Sequence, residues 1–183
     1  MTQYVVISGA SSGIGKAASE ALADAGMTVF AGALNDDEAK QMRAAGRKGI
    51  VPVVLDVTST ASIDAALGFV RETMGSEGYL YGLVNVAGVD FNAPLQFLEP
   101  REITQMVNVN FLGGMLLTRA ALPLMRHDAS RVVFVSSAMG LLATPIITTY
   151  CGTKSGIEGF ADALRIELRA VGIKVCLVEP GVI

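Results

Sequence analysis

Six short runs rich in β-branched and other apolar residues recur along the chain. They are QYVVIS (3–8), TVFAGA (28–33), IVPVVL (50–55), YGLVNV (81–86), RVVFVS (131–136) and KVCLVE (174–179). Each is nearly continuous in apolar character, as expected of strands buried on both faces of a parallel sheet. Stretches of helical period lie between them, near 13–25, 36–46, 60–75, 102–126 and 150–171. Strand, helix and strand in repetition build βαβ units with right-handed crossovers. No linker, low-complexity tract or further repeat interrupts the alternation. The pattern predicts α/β architecture: one domain over 1–183 with a doubly wound parallel sheet.

Composition narrows the class. The chain has 183 residues, 51% hydrophobic and 17% charged, enough for one sizeable core. No apolar run reaches the ~18 residues of a membrane span, and MTQYVVISGA enters a strand at once, without a secretory pattern. Cys151 and Cys176 stand in periodic segments, not in a disulfide framework, so a reduced, cytoplasmic setting is expected. A net charge of −3 without a basic patch argues against nucleic acid. With one histidine, His127, and two distant cysteines, no metal site is expected. His127 itself reads as a solvated residue after a helix.

The first strand runs into SGASSGIG, Ser8 to Gly15, and directly on into a helix. Glycine at 9, 13 and 15 permits a tight turn and close approach of backbone to a pyrophosphate, which the helix N-terminus then attracts. After the second strand, Leu34 and Asn35 are neutral and Asp36 and Asp37 follow. Carboxylates there repel a 2′-phosphate, so NAD is expected, with NADP not excluded. The competing account is that both aspartates only cap the next helix.

YCGTK places Tyr150 four residues before Lys154, on one side of a helix start and about 6 Å apart along its axis. A free phenol titrates near pH 10. To act near neutrality it must do so about three pH units lower, or ~4 kcal/mol. A unit charge about 4 Å away at an effective dielectric near 20 supplies that order. Ser136 and Ser137 end the fifth strand, where a hydroxyl can meet a substrate oxygen.

Taken together these motifs resemble the short-chain dehydrogenase/reductase family, across essentially the whole chain and in the family's order. SGASSGIG matches the cofactor loop, with Gly9, Ser11, Ser12, Gly13, Ile14 and Gly15 as cofactor-binding residues. LDV matches the adenine contact at Asp56 and Val57. NVAG matches the turn carrying Asn85, Ala87 and Gly88. NVNFLG supplies the catalytic asparagine, Asn110. The spacing of thirteen residues to the tyrosine selects Ser137. EPG matches the turn beside the nicotinamide, at Pro180 and Gly181. The resemblance implies a Rossmann-like oxidoreductase acting on a secondary alcohol or ketone, with Tyr150 as general acid–base. Ser137 holds the substrate oxygen. Lys154 tunes the phenol and, like Tyr150, contacts the cofactor. Asn110 helps seat a water.

FADALRIELRAVGIKVCLVEPG and the neutral ALN turn resemble the branch of retinol, hydroxysteroid and 3-hydroxybutyrate dehydrogenases. Ser8 stands for the family's threonine and Val86 for its second asparagine. Members continue past the Pro-Gly turn, so the C-terminal part of the family fold is absent here. The loop AMGLLATPIITT (138–149) reads either as an apolar substrate wall or as internal packing. Methionines such as Met106, Met115 and Met125 read as packing residues. Phe111, Met115, Leu116, Leu122, Phe160, Leu164 and Leu168 exceed one buried stripe, which with the resemblance implies a homodimer or homotetramer. A non-catalytic dinucleotide sensor and a sugar-nucleotide epimerase are the competing functions.

Overall fold

The apolar runs pair side by side because each buries both faces and satisfies its backbone through its neighbours. The structure, a computed structural model, describes residues 2–126 and 128–181. His127 lies outside the described residues. The strands are β1 (Tyr4–Ile7), β2 (Thr28–Ala33), β3 (Ile50–Val54), β4 (Leu80–Asn85), β5 (Arg131–Val135) and β6 (Lys174–Val178). They form one parallel sheet in the order β3-β2-β1-β4-β5-β6. The order reverses between β1 and β4, which opens a crevice at their carboxyl ends.

The helices are α1 (Gly13–Asp24), α2 (Asp36–Ala44), α3 (Thr60–Met74), α4 (Pro100–Val107), α5 (Gly113–Ala121) and α6 (Thr148–Arg169). Successive strand residues point to opposite faces. Val5, Ile7, Val29 and Ala31 therefore join one core beneath α1 and α2, where Leu22 and Met42 pack. Val6 and Phe30 join the larger core on the other face, with Leu67, Leu117, Ile157 and Leu164 from α3, α5 and α6. Among the described residues no helix is long and apolar enough to cross a membrane.

One expectation changes. The helix expected over 102–126 is broken. α4 gives way to a wide π turn at Asn108–Leu112, then α5, then a short 3-10 turn at Leu122–Leu124. The Gly113 N–H reaches back to the Asn108 carbonyl, five residues earlier. Gly113 lets this backbone lie against β3's exit, since a Cβ there would come 2.7 Å from Val57 Cγ2. The surplus apolar residues are only partly covered within the chain. Phe111, Leu116, Leu122, Phe160 and Leu168 pack half-buried on the larger core, and Phe160 meets Phe134 edge-on at 5.6 Å between ring centroids.

Candidate active site

β1 ends against the turn that follows β4. The Ser8 hydroxyl oxygen accepts from the backbone N–H groups of Val86 at 3.0 Å and Ala87 at 3.2 Å. Gly9 then turns at φ 64°, where a side chain is strained, and a Cβ would lie 2.8 Å from Ala87 Cα. A Cβ on Gly15 would strike the Gly9 carbonyl oxygen at 2.1 Å. Only glycine permits this closure of loop onto helix.

α1 begins without protein neutralisation. Its N-cap Ser12 makes no side-chain capping bond, and no acid stands in its first turn. α2 is the opposite: Asn35 accepts from the Glu38 N–H at 3.0 Å, and Asp36, Asp37 and Glu38 fill the first turn. A helix start left open toward a crevice is a ready receptor for an anion such as pyrophosphate.

That crevice has a volume of about 1210 Å³. Gly9, Ser11, Ser12, Gly13, Ile14, Gly15, Asp56, Val57, Ala87 and Gly88 all line it, so these expected cofactor contacts come together. Asp56 also builds its own turn: Oδ1 accepts from Thr58 N at 2.9 Å and Thr58 Oγ1 at 2.7 Å. Asn85 departs from expectation. It is buried, donates to Thr118 Oγ1 at 3.1 Å, and faces an interior void of about 10 Å³ instead of the crevice. A side chain on the last residue of β4 points into the helix layer there, so Asn85 supports the crevice from behind.

The adenosine end also differs. Asp36 and Asp37 are exposed, Asp37 lies 3.4 Å from Lys40, and neither lines the crevice. Glu38 does line it, and its Oε2 accepts from the Leu34 N–H at 2.9 Å. The sequence reading missed Glu38. The signal was present in Asn35-Asp-Asp-Glu38, a capping pattern that turns the third helical side chain back over the preceding strand end.

The remaining candidates gather beyond β5. Tyr150 is half-buried in the first turn of α6. Lys154 is 4% exposed; its Nζ donates to the Val135 carbonyl at 2.8 Å and lies 5.5 Å from the Tyr150 ring centroid. Burial lowers the Lys154 pKa from 10.5 to about 8. Ser137 Oγ accepts from Met139 N at 3.1 Å. The Ala138 N–H donates to the Pro180 carbonyl at 2.9 Å, which holds the segment after β6 beside the serines. Tyr150, Lys154, Pro180 and Gly181 do not line the crevice itself.

The Asn110 side chain is held by the loop after β4. Its Oδ1 accepts from Val89 N at 2.8 Å and its Nδ2 donates to Val89 O at 2.8 Å. A weaker contact of 3.4 Å reaches Thr153 Oγ1, which in turn donates to the Tyr150 carbonyl at 2.8 Å. The side chain thus clamps the loop after β4 to the π turn, and through Thr153 it braces α6.

Residues 3–183 match the family model described as short chain dehydrogenase. The chain belongs to the short chain dehydrogenase family. It is 40% identical over 179 residues to retinol dehydrogenase 7 of Mus musculus, and 40% over 180 to retinol dehydrogenase 16 of Homo sapiens. It is 38% identical over 180 residues to the Homo sapiens 17-beta-hydroxysteroid dehydrogenase type 6. Each alignment takes in 98% of this chain and 56% of the relative, so the chain spans just over half the length of these curated relatives. A short-chain dehydrogenase from Streptomyces avermitilis superposes with a TM-score of 0.89 at 32% identity, over 100% of this chain and 66% of that one.

The two departures from the short chain dehydrogenase pattern have physical accommodation. Ser8 retains the hydroxyl that accepts the two turn amides. Val86 is half-buried and packs against the core beneath α1 and α2, so apolar contact stands where the family has an amide.

Proposed function

We propose that the chain carries the cofactor-binding and catalytic portion of an oxidoreductase acting between a nicotinamide dinucleotide and a secondary alcohol or ketone. The observation that carries this reading is a buried lysine beside a half-buried tyrosine, next to a serine at the carboxyl end of β5. A buried charge is costly, and such perturbed groups cluster at functional sites. The bound nicotinamide supplies or accepts the hydride.

Tyr150 gives its phenolic proton to the carbonyl oxygen in reduction, or takes the alcohol proton in oxidation. Ser137 already accepts from Met139 N, which leaves its own O–H free to donate to that oxygen. The Lys154 ammonium uses one N–H on Val135, and its charge stands where proton transfer from the phenol needs it. Asn110 acts as a positioning residue through its two bonds to Val89, and its amide keeps a further lone pair and N–H with which to seat a water.

The names of the relatives direct the substrate toward an apolar alcohol. Leu141, Leu142 and Ile146, exposed in the loop between Ser137 and Tyr150, supply an apolar wall of the kind such a substrate needs. Tyr150→Phe in the full-length protein tests the reading. Turnover of retinol or a steroid alcohol, followed at the NADH absorbance, falls at least ~100-fold while cofactor affinity stays within about twofold. Near-parental turnover would refute the role of Tyr150.

A further inference from the structure

We infer that Glu158 is a positioning residue for Ser137, acting through Ser136 and one internal water. The inference rests on the oxidoreductase reading above, in which the Ser137 hydroxyl meets the substrate oxygen. Among the described residues, Ser136 Oγ and Glu158 Oε1 are buried side-chain atoms without a hydrogen-bond partner. Ser136 is 2% exposed and stands just past β5, next to Ser137. Glu158 lies on α6, one helical turn beyond Lys154. A buried oxygen left unpaired is costly, so two of them in one place call for a shared partner.

Gly140 brings the two oxygens together. A Cβ there would lie 2.8 Å from Ser136 Oγ and 3.1 Å from Glu158 Oε1, so both come within hydrogen-bond length of one point. A water beside that point accepts from the Ser136 O–H and donates to Glu158, which gives it the two polar partners an internal water needs. The same turn aims Ser137. The Gly140 N–H donates to the Ser137 carbonyl at 2.8 Å, and the Met139 N–H donates to Ser137 Oγ at 3.1 Å. From α6, Ser155 Oγ donates to the Gly140 carbonyl at 2.7 Å. A link from Glu158 to Ser136 adds a second tie between the β5 exit and α6, the helix that carries Tyr150. It therefore fixes the Ser137 hydroxyl relative to the Tyr150 phenol, a separation to which proton transfer is sensitive.

The test is a double-variant cycle in the full-length protein, with retinol and NAD as substrates. Ser136→Ala and Glu158→Leu each lower kcat about tenfold while KM for NAD stays within about twofold. The double variant falls no further than either single one, because both break the same link. Glu158→Gln, which keeps an acceptor oxygen, recovers most of the loss. A crystal structure of the parent shows the water between the two oxygens, and Glu158→Leu lacks it. Losses that multiply in the double variant, a Glu158→Gln as impaired as Glu158→Leu, or a dry contact in the parent would each overturn the inference. So would a folded Ser136→Ala with kcat within about twofold of the parent, which settles the matter even where Glu158→Leu does not fold. If the folded parent turns over no alcohol, the oxidoreductase reading fails and takes this role of Glu158 with it; an active parent with unaffected variants overturns this inference alone.

Discussion

Replacing Lys154 by methionine should make the protein more stable at neutral pH, and the gain should vanish in alkali. Lys154 is 4% exposed and titrates near 8 instead of 10.5 because burial strips water from its ammonium. At about 1.4 kcal/mol per pH unit, holding it charged in the fold costs ~3 kcal/mol. Methionine fills similar space without that cost, but it leaves the Val135 carbonyl without its 2.8 Å donor, a loss of ~1 kcal/mol. The balance is a gain of ~2 kcal/mol for Lys154→Met at pH 7.

The sign with pH follows from linkage. Below pH about 8 the lysine is charged in both folded and unfolded chains, and the full penalty applies. Between about 8 and 10.5 the folded lysine is neutral while the unfolded one still holds its proton, so parental stability rises with pH. The variant lacks this term. Its advantage therefore shrinks across that window and is gone by its upper end. Urea unfolding of parent and variant, each also carrying Tyr150→Phe so that the neighbouring phenol does not titrate, reads the gap at matched pH from neutral to alkaline. A gap that does not change with pH, or a variant less stable than the parent at pH 7, would refute the reasoning. A lysine retained against its own stability cost fits a site where function opposes stability.

Two further outcomes follow from the same geometry. Ser12→Asp caps an uncapped α1 and adds a negative charge at its dipole end, so thermal or urea unfolding shows a gain of ~1 kcal/mol while NADH binding by calorimetry is lost; stability and binding falling together would contradict an open anion site. Asn110→Ala strands both Val89 backbone groups beside a buried side chain, and urea unfolding should show a loss of ~2–3 kcal/mol; a loss under ~0.5 kcal/mol would mean the clamp carries nothing.

What was legible in the sequence is what local pattern determines. Each of the six strands falls within a residue or two of its apolar run, because a strand buried on both faces must be apolar along its length. The glycine loop was legible for a related reason: Gly9 and Gly15 meet backbone at distances no side chain allows, so the residue type itself records the contact. Contacts between distant residues leave no such record. Asn110 lies in the π turn and binds Val89, 21 residues earlier, and nothing in NVNFLG names that partner. Lys154 stands 5.5 Å from the Tyr150 ring centroid, and YCGTK does not name the Val135 carbonyl, 19 residues back, that anchors its ammonium. Asn85 shares the crevice motif with Ala87 and Gly88, but strand alternation turns its side chain toward Thr118.

Glu38 is the instructive intermediate. Asp36 and Asp37 come first after the strand, and adjacency favoured them. A helix start, however, sends its first two side chains outward and returns the third over the cap, so the carboxylate nearest the strand end in space is the farthest of the three in sequence. Helix geometry, not order along the chain, decides which of the three carboxylates lines the crevice.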